Sequence, residues 1–281
     1  MSEEYAARLR QSLGGSFIVL ATVDSTMRVM SELIDQNYRD GITVLALEQT
    51  AGRGSGDRKW ASAVGNAMFS RCIAVLPDEY GQEMEMIAAC AVAEIMRDLL
   101  PDRDVTLKYP NDVLVDGKKI CGCLVPPSYD VDAGVARRIN LGVGVNLKVA
   151  PELSNGMRAT SLSALGKDTD IPDFMRKFED KFANILGQYR QDASFDTVLR
   201  RMGFLDVEGM LTLRSPQADQ DVRGTYVGFT VKERDGKPAA FLVLRSQGVE
   251  IPHPVHAFTM FSQPQRRDFS FEQQTKHYAY G

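Results

Sequence analysis

The 281-residue sequence predicts an α+β protein in which a large domain is followed by a small β domain. Up to Gly203, short apolar runs that are typical of buried strands alternate with amphipathic helical patterns. After Gly203 the helical patterns stop, and short strand-like segments separated by turns follow one another. We therefore expect a large domain over residues 1–203, and a small β domain with an irregular tail at 258–281 over residues 204–281.

The apolar spacing predicts each element of this fold in turn. Helices are predicted where apolar residues recur three and four positions apart, as at Val29, Met30, Leu33 and Ile34, over Glu83–Leu100 and Pro172–Gln191, and briefly at about 195–202. Strands are predicted at the apolar runs Phe17–Ala21, Ile42–Leu47, Ala67–Val75, Val105–Lys108, Val113–Val115, Ile120–Val125, Arg138–Leu147, Val207–Leu213, Gly224–Val231 and Ala240–Leu244.

Composition indicates a globular protein of slightly acidic charge. The chain is 44% hydrophobic and 25% charged, with a formal net charge of −4. Broad electrostatic binding to nucleic acid needs a basic surface, so we expect no nucleic-acid partner. No apolar run reaches the ~18 residues of a membrane span, and the N-terminus lacks the apolar core of a signal peptide. We expect a soluble, cytoplasmic protein, monomeric or homodimeric.

The cysteines predict neither disulfides nor a metal site. All four lie inside apolar runs, where a thiol behaves as a small hydrophobic group. The histidines lie far from them in sequence, which argues against a zinc site and fits a reducing compartment. The cysteines are Cys72, Cys90, Cys121 and Cys123, and the histidines are His253, His256 and His277.

A glycine-rich cationic loop follows the strand at Ile42–Leu47. The stretch Leu47–Trp60 reads LEQTAGRGSGDRKW and ends on the single tryptophan of the chain. Its glycines let exposed N–H groups approach an anion, which favours a binder of phosphate or carboxylate, although a solvated surface loop explains the residues equally well. It is neither a Walker A loop, because no Gly-Lys-Ser/Thr follows, nor a dinucleotide fingerprint, because no helical pattern opens at its end.

Asp116-Gly117 lies between two apolar runs, which is the strongest short signal for a β-hairpin. The hairpin over residues 112–125 places Asp112 and Lys119 on opposite arms, where the two side chains can be neighbours. Two further positions have alternative interpretations. Ser25 or Asp24 can simply cap a helix, and the glycines within the strand Arg138–Leu147 can mark either a ligand or a packed helix.

Taken together, several short motifs in this order resemble the biotin–protein ligase family. The resemblance covers about residues 20–165, and each motif alone is weak. The motifs are the pair after Asp24, the loop Glu48–Trp60, Lys108-Tyr109-Pro110-Asn111-Asp112 for K-W-P-N-D, Lys119–Leu124 for K-x-x-G-x-L, Gly144-Val145-Asn146 for G-I-N, and Ala159-Thr160-Ser161-Leu162.

The resemblance implies a mixed β-sheet with helices packed mainly on one side, like the class II aminoacyl-tRNA synthetases, followed by an SH3-like barrel. It also implies ATP, biotin and Mg²⁺ as substrates and cofactor, and a biotin carboxyl carrier protein or domain as partner. Some bacterial members carry an N-terminal DNA-binding domain and act as repressors. Since 23 residues precede Asp24, we expect no such domain and no repressor activity.

The implied activity is formation of biotinyl-5′-AMP from biotin and ATP, followed by transfer of biotin to a carrier lysine. By this resemblance Lys119 reaches both the biotin carboxylate and the α-phosphate, Arg53 reaches the phosphate, and Asp112 orients the incoming amine and accepts its proton. A plain turn residue is the alternative for Asp112. Further biotin-binding candidates are Ser25, Thr26, Gln49, Gly52, Trp60, Gly122, Gly142 and Gly144, and further nucleotide-binding candidates are Gly54, Ser55, Arg58, Lys108, Asn111 and Asn146.

The sequence departs from the family pattern at three places. Ser55 stands where the family usually has arginine, so we expect a weaker hold on the adenylate, unless Arg58 compensates. Tyr109 replaces a tryptophan, and Pro126-Pro127 stand where bacterial members commonly have glutamate. Two other functions stay open: a lipoate–protein ligase, which shares the fold and the adenylate chemistry, and a non-catalytic binder of biotin or its adenylate.

Overall fold

The computed structural model describes residues 2–54, 58–76, 79, 81–108, 110–126, 137–151, 158–192, 198, 210–213, 222–234 and 237–254. Its helices are α1 (Ser2–Leu13), α2 (Thr26–Asp35), α3 (Gly81–Leu99) and α4 (Ile171–Asp192), with a 3-10 turn at Ser163–Leu165. Its strands are β1 (Phe17–Val23), β2 (Thr43–Gln49), β3 (Ala67–Val75), β4 (Val105–Lys108), β5 (Asp112–Val115), β6 (Lys118–Leu124), β7 (Arg137–Val145), β8 (Met210–Leu213), β9 (Val222–Arg234), β10 (Lys237–Ser246) and β11 (Val249–Pro254).

The first seven strands form one mixed sheet in the order β1-β2-β3-β7-β6-β5-β4. Strands β1 and β2 are parallel. The other five neighbouring pairs of the sheet, β2–β3, β3–β7, β7–β6, β6–β5 and β5–β4, are antiparallel. The prediction of a mixed sheet with helices is thereby confirmed. The tight turn at Asp116-Gly117 has positive φ at both residues, as the predicted hairpin requires.

Helices cover the two faces of this sheet unequally. The main core lies on one face, where residues of α1, α3 and α4 pack against inward residues such as Phe69 and Cys121. Helix α2 covers part of the opposite face, where Met30 packs on Val44 and Cys72. The rest of that second face, beyond α2, is where the cavity described below lies.

Strands β8 to β11 form a second, antiparallel sheet in the order β11-β10-β9-β8. The described pairings leave this sheet open, and they do not include a pairing of β8 with β11 that would close the predicted SH3-like barrel. Strand β11 was not predicted, because Pro252 and Pro254 interrupt its pattern. Its position at the edge of the sheet explains why prolines are tolerated there.

Helix α1 was not predicted either. Its apolar face is short, yet Ala6 and Leu9 are buried in the main core. The predicted helix at about 195–202, the proposed boundary at 203/204 and the tail at 258–281 lie almost wholly outside the described residues; Val198 is helical and buried. Among the described helices, none has the length and apolar composition that crossing a membrane requires.

Candidate active site

A cavity of about 470 Å³ opens on the face of the large sheet that α2 leaves uncovered. It lies between the start of α2, the loop after β2, the β5–β6 hairpin and the end of β7. Many of the predicted site residues meet there. The predicted residues that line it are Thr26, Gln49, Arg53, Gly54, Arg58, Trp60, Asn111, Asp112, Lys119, Gly122, Gly142, Gly144 and Asn146.

Three glycines on two adjacent strands form the floor of the cavity. Gly122 on β6 pairs directly with Gly144 on β7, and Gly142 lies two positions before Gly144 on the same strand. A Cβ atom on Gly144 would lie 2.3 Å from Cε2 of Trp60, and one on Gly142 would lie 2.8 Å from Sδ of Met27. Packing and ligand binding therefore both explain these glycines. Gly142 leaves room for Met27 of α2 and Gly144 leaves room for Trp60 of the loop, while the absence of side chains also keeps the cavity floor flat.

Lys119 and Asp112 form an ion pair at the edge of this floor. Lys119 Nζ lies 2.5 Å from Asp112 Oδ1, and the two side chains are only 18% and 13% exposed. The ammonium group also lies 5.6 Å from the centroid of the Trp60 ring, within range of a cation–π interaction. A Cβ on Gly122 would come within 3.0 Å of the same nitrogen. The lysine is thus held by a carboxylate, an aromatic face and a glycine.

A β-bulge directs Lys119 into the cavity. Asp112 pairs with Gly122, whereas Leu114 pairs with Lys119, so that Ile120 is an extra residue in β6. Without the bulge Lys119 would stand opposite Val115, which belongs to the helix-covered core. Since successive strand residues point to opposite faces, the extra residue moves Lys119 to the face of Asp112. Sequence analysis predicted the proximity of the two residues but not this device.

The first turn of α2 carries a polar network. The backbone N–H and the hydroxyl of Thr26 donate to Gln49 Oε1 at 2.8 Å and 3.1 Å, and the Ser70 hydroxyl donates to Thr26 Oγ1 at 2.9 Å. With its oxygen engaged twice, Gln49 presents an amide NH₂ group as a donor at the cavity wall.

Ser25 occupies the N-cap position of α2 but makes no side-chain capping bond. The residue is 2% exposed, and within the described part of the chain its hydroxyl has no hydrogen-bond partner. Capping was therefore the wrong explanation for this serine. A buried hydroxyl without a partner is costly, which makes Ser25 Oγ available to a ligand or a water molecule, although Ser25 does not itself line the cavity.

The cationic loop folds back on itself as a short hairpin. The backbone N–H of Trp60 donates to the Gly52 carbonyl at 3.0 Å, and that of Gly54 donates to the Arg58 carbonyl at 2.8 Å. Exposed Arg53 and Arg58 line the cavity from this loop. Gly52 lies beneath Trp60, since a Cβ there would be 2.6 Å from the Trp60 carbonyl oxygen. Residues 55–57, and with them the departure at Ser55, lie outside the described residues, as do Tyr109 and Pro127.

The two asparagines of the site, Asn111 and Asn146, donate their side-chain amides to backbone carbonyls. Asn111 Nδ2 donates to the Cys123 carbonyl at 2.6 Å, which joins the start of β5 to β6. Asn146 is 1% exposed, and its Nδ2 donates to the Thr160 carbonyl at 3.1 Å. Lys108 ends β4 and does not line the cavity. Nucleotide contacts by these three residues stay predictions.

Several lining residues were missed because their sequence signal is that of core residues. Met27 and Phe69 looked like members of a helix and a strand. Met27 contributes apolar surface to the cavity, whereas the ring of Phe69 packs on Phe178 in the main core. Cys123 also lines the cavity, but its thiol lies 4.0 Å from that of Cys121. That contact and burial raise the pKa of Cys123 well above its usual value, so it stays protonated. The missed lining residues are Met27, Lys59, Ala61, Phe69, Cys123, Leu124, Val143, Pro151 and Ala159.

Part of the chain matches a known protein family in sequence. Residues 19–146 match the model of the Biotin/lipoate A/B protein ligase family. The chain is 31% identical over 164 residues to the bifunctional ligase/repressor BirA of Bacillus subtilis, covering 56% of this chain and 50% of that protein. It is 37% identical over 133 residues to the biotin–[acetyl-CoA-carboxylase] ligase of Mycobacterium tuberculosis, covering 45% and 47%. The chain thus spans about half the length of these curated relatives.

Solved structures show the same fold. The biotin protein ligase from Aquifex aeolicus in complex with biotin and ATP has a TM-score of 0.59 and 22% identity, covering 89% of this chain and 99% of that one. The biotin protein ligase from Leishmania major in complex with biotinyl-5-AMP has a TM-score of 0.54 and 22% identity, covering 84% and 97%. At such identities the likeness concerns the fold alone.

Proposed function

We propose that the chain is a biotin–protein ligase, on the premise that residues 19–146 match the model of the Biotin/lipoate A/B protein ligase family. It would activate biotin with ATP to biotinyl-5′-AMP and then transfer biotin to a lysine of a carrier protein. The observation that carries the proposal is the half-buried Lys119–Asp112 ion pair beside a flat glycine floor within the matched residues. The similar biotin ligase, and the similar structures that hold biotin with ATP or biotinyl-5-AMP, support biotin and ATP as the substrates.

Biotin would lie on the glycine floor. Trp60 offers an apolar wall against its ring system, and the amide NH₂ of Gln49 and the Thr26 hydroxyl offer polar contacts to its ureido group. Because Ser25 Oγ is buried without a partner among the described residues, a hydrogen bond to biotin, direct or through water, would remove an energetic penalty. The carboxylate of biotin would then point towards Lys119.

In the first step a carboxylate oxygen of biotin attacks the α-phosphorus of ATP, and pyrophosphate leaves. Negative charge builds on the α-phosphate oxygens as the new bond forms. Lys119 Nζ, held at the floor by the bulge in β6, would neutralise that charge, and Arg53 and Arg58 would bind the phosphates from the loop. Burial under Trp60 would keep water from the mixed anhydride.

In the second step the neutral amine of the carrier lysine attacks the carbonyl carbon of the anhydride, and AMP leaves. The attacking nitrogen must lose a proton. Asp112 would accept it, because its carboxylate lies at the cavity wall beside Lys119. We propose a biotin carboxyl carrier protein of a biotin-dependent carboxylase as the partner, and the cytoplasm as the compartment.

Mg²⁺ would neutralise the triphosphate of ATP in this scheme. Among the described residues there is no group of three or more His, Cys, Asp and Glu side chains that could hold a metal ion. The ion would be bound chiefly by phosphate oxygens, and Asp112 is the one acidic side chain among the described residues that lines the cavity.

The decisive experiment is incubation of the purified chain with ATP, Mg²⁺, a carrier domain and either labelled biotin or labelled lipoate. Biotin transfer in preference to lipoate is expected, whereas preference for lipoate would favour the other branch of the family. Pyrophosphate exchange into ATP that depends on biotin isolates the first step. If biotin binds but neither exchange nor transfer occurs, the chain is a binder and the proposal is wrong.

A further inference from the structure

We infer that Asn66, which lies outside the cavity wall, is a positioning residue that holds Lys119 in place through Asn146 and Thr160. The inference rests on the proposed function for its catalytic consequence, but the structural linkage itself can be tested without activity. Asn66 lies in the turn between Trp60 and β3, and it is 1% exposed. Its polarity is unusual for a residue so completely buried.

The Asn66 side chain clamps the backbone that follows β7. Its Oδ1 accepts from the N–H groups of Lys148 at 2.9 Å and Val149 at 3.0 Å, while its Nδ2 donates to the Val149 carbonyl at 2.8 Å. A single side chain thus satisfies three backbone groups of a segment 82–83 positions away in sequence. Neighbouring Gly65 has φ +92 and packs closely against Lys148, which brings the two segments together.

From this clamp, hydrogen bonds lead to Lys119 in three steps. Asn66 Nδ2 also lies 3.5 Å from Asn146 Oδ1, and Asn146 Nδ2 donates to the Thr160 carbonyl at 3.1 Å. The backbone N–H of Thr160 donates to the Lys119 carbonyl at 2.9 Å, and that of Lys119 donates to the Arg158 carbonyl at 2.8 Å. The backbone of the lysine is therefore bonded on both sides to residues 158–160.

This linkage supports the bulge that aims Lys119. The extra residue, Ile120, accepts a hydrogen bond at 2.9 Å from the backbone N–H of Asn146. Because Lys119 pairs with residues 158–160 beside the bulge, neither β5 nor β7 alone fixes the direction of its side chain. Removal of the Asn66 carboxamide would loosen both Asn146 and the segment after β7, and Lys119 would lose the support that keeps Nζ over the floor.

The variant Asn66→Ala tests two things. Hydrogen exchange tests whether the hydrogen bonds from Asn66 support the Lys119 backbone, and kinetics tests whether that support matters for adenylate formation. The amides of Lys119 and Thr160 should exchange about 3–10-fold faster, the factor that one net hydrogen bond contributes. In biotin-dependent pyrophosphate exchange, kcat should fall by about 10²-fold, the loss that a misplacement of about 1 Å can cause. The KM for biotin should change less than kcat, because the ring system of biotin would be held by Gln49, Thr26 and the glycine floor, and only its carboxylate would meet Lys119.

A double-mutant cycle separates this role from general destabilisation. If Asn66 acts through Lys119, Asn66→Ala should cause no further loss of kcat in a Lys119→Ala background. Tyr189→Phe is the matched control, since it removes a buried 2.7 Å hydrogen bond to Glu83 between α4 and α3. That variant should lose stability but keep both kcat and the exchange rate of the Lys119 amide.

Three results would overturn the inference: unchanged exchange at Lys119 in Asn66→Ala, a loss of kcat that adds to that of Lys119→Ala, or an equal loss in Tyr189→Phe. Absence of biotin-dependent exchange in the wild type is a different result. It would overturn the proposed function, while the hydrogen-exchange comparison would still decide whether Asn66 holds Lys119.

Discussion

At the scale of single residues, Lys119 is the cation that both the Asp112 carboxylate and the Trp60 ring contact in the site. Lys119→Ala removes the ammonium that would balance charge on the α-phosphate. We expect biotin-dependent pyrophosphate exchange to fall by ~10²–10³-fold. Lys118→Ala is the matched control, because Lys118 is the exposed neighbour on the same strand and should keep full activity. Exchange within tenfold of the wild type in Lys119→Ala would contradict the assignment.

Asp112 is assigned to the second step, so its replacement should act on transfer. Asp112→Asn keeps the shape of the side chain but cannot accept a proton. Transfer from purified biotinyl-5′-AMP to a carrier lysine should slow by ~10²–10⁴-fold. Asp116→Asn, on the exposed turn of the same hairpin, should transfer normally. If Asp112→Asn transfers at the wild-type rate over a range of pH, Asp112 does not take the proton.

Sequence alone predicted the members of this site better than their geometry. The hairpin signal at Asp116-Gly117 placed Asp112 near Lys119, and the ion pair is present. The bulge at Ile120 could not be predicted, because it is a register shift between β5 and β6, beside the bridge from Lys119 to Ala159, and no local sequence pattern marks it. Asn66 was missed for a related reason, since its side-chain partners lie 80–83 positions away in sequence.

At the scale of elements, the glycine floor joins β6 and β7 to the loop that ends at Trp60. Gly144→Ala would place a Cβ 2.3 Å from Cε2 of Trp60, so the ring must move away from the floor. We expect a stability loss of about 1–3 kcal/mol and weaker biotin binding. Trp60 is the single tryptophan of the chain, so its fluorescence reports both the displacement and the binding directly.

Gly187→Ala is the control for that substitution. Gly187 lies within α4, and a Cβ there would meet no atom within 4 Å among the described residues. Alanine should therefore stabilise the helix by about 0.5–1 kcal/mol and leave biotin binding unchanged. If Gly144→Ala binds biotin with wild-type affinity and an unshifted Trp60 spectrum, close approach of the ring to the floor is not needed for binding.

Most elements were predicted because their apolar period is undisturbed. β3 and β4 have the predicted bounds, and α3 and α4 differ from prediction by one or two residues at each end. The failures have specific causes. Helix α1 is held by only a few core contacts, and prolines conceal β11 as a strand. The SH3-like barrel stays a prediction, since the described strands β8 to β11 form an open sheet.

At the scale of the whole molecule, buried thiols and a phenol make stability fall in alkaline solution. Burial raises the pKa of Cys72 from 9.0 to about 11. Between these values the unfolded chain ionises while the folded chain keeps its proton, so the free energy of unfolding falls as pH rises from 9 to 11. Cys123 and Tyr189 also have raised pKa values and act with the same sign.

Cys72 alone should lower the free energy of unfolding by roughly 2–3 kcal/mol over this pH range, since each pKa unit corresponds to about 1.36 kcal/mol. The measurement is the free energy of unfolding by denaturant at intervals from pH 8 to pH 11. Cys72→Ala should be less stable at pH 8 but should lose less stability over this range than the wild type. Equal slopes for the two proteins would show that Cys72 does not ionise on unfolding.

The two sheets should unfold together, because they share one core. Tyr226 of β9 and Leu244 of β10 belong to the same contiguous cluster as the helix-covered face of the large sheet, and Leu244 is fully buried. Leu244→Ala leaves a cavity in this shared core and should cost about 2–5 kcal/mol. Val249→Ala, on β11 and 60% exposed, should change stability by no more than about 0.5 kcal/mol. Trp60 fluorescence reports unfolding around the large sheet, and circular dichroism reports unfolding of both sheets. We expect the two unfolding midpoints to coincide in the wild type and to shift together in Leu244→Ala. A Trp60 transition unmoved by Leu244→Ala, with a separate earlier transition in circular dichroism, would show instead that the second sheet folds on its own.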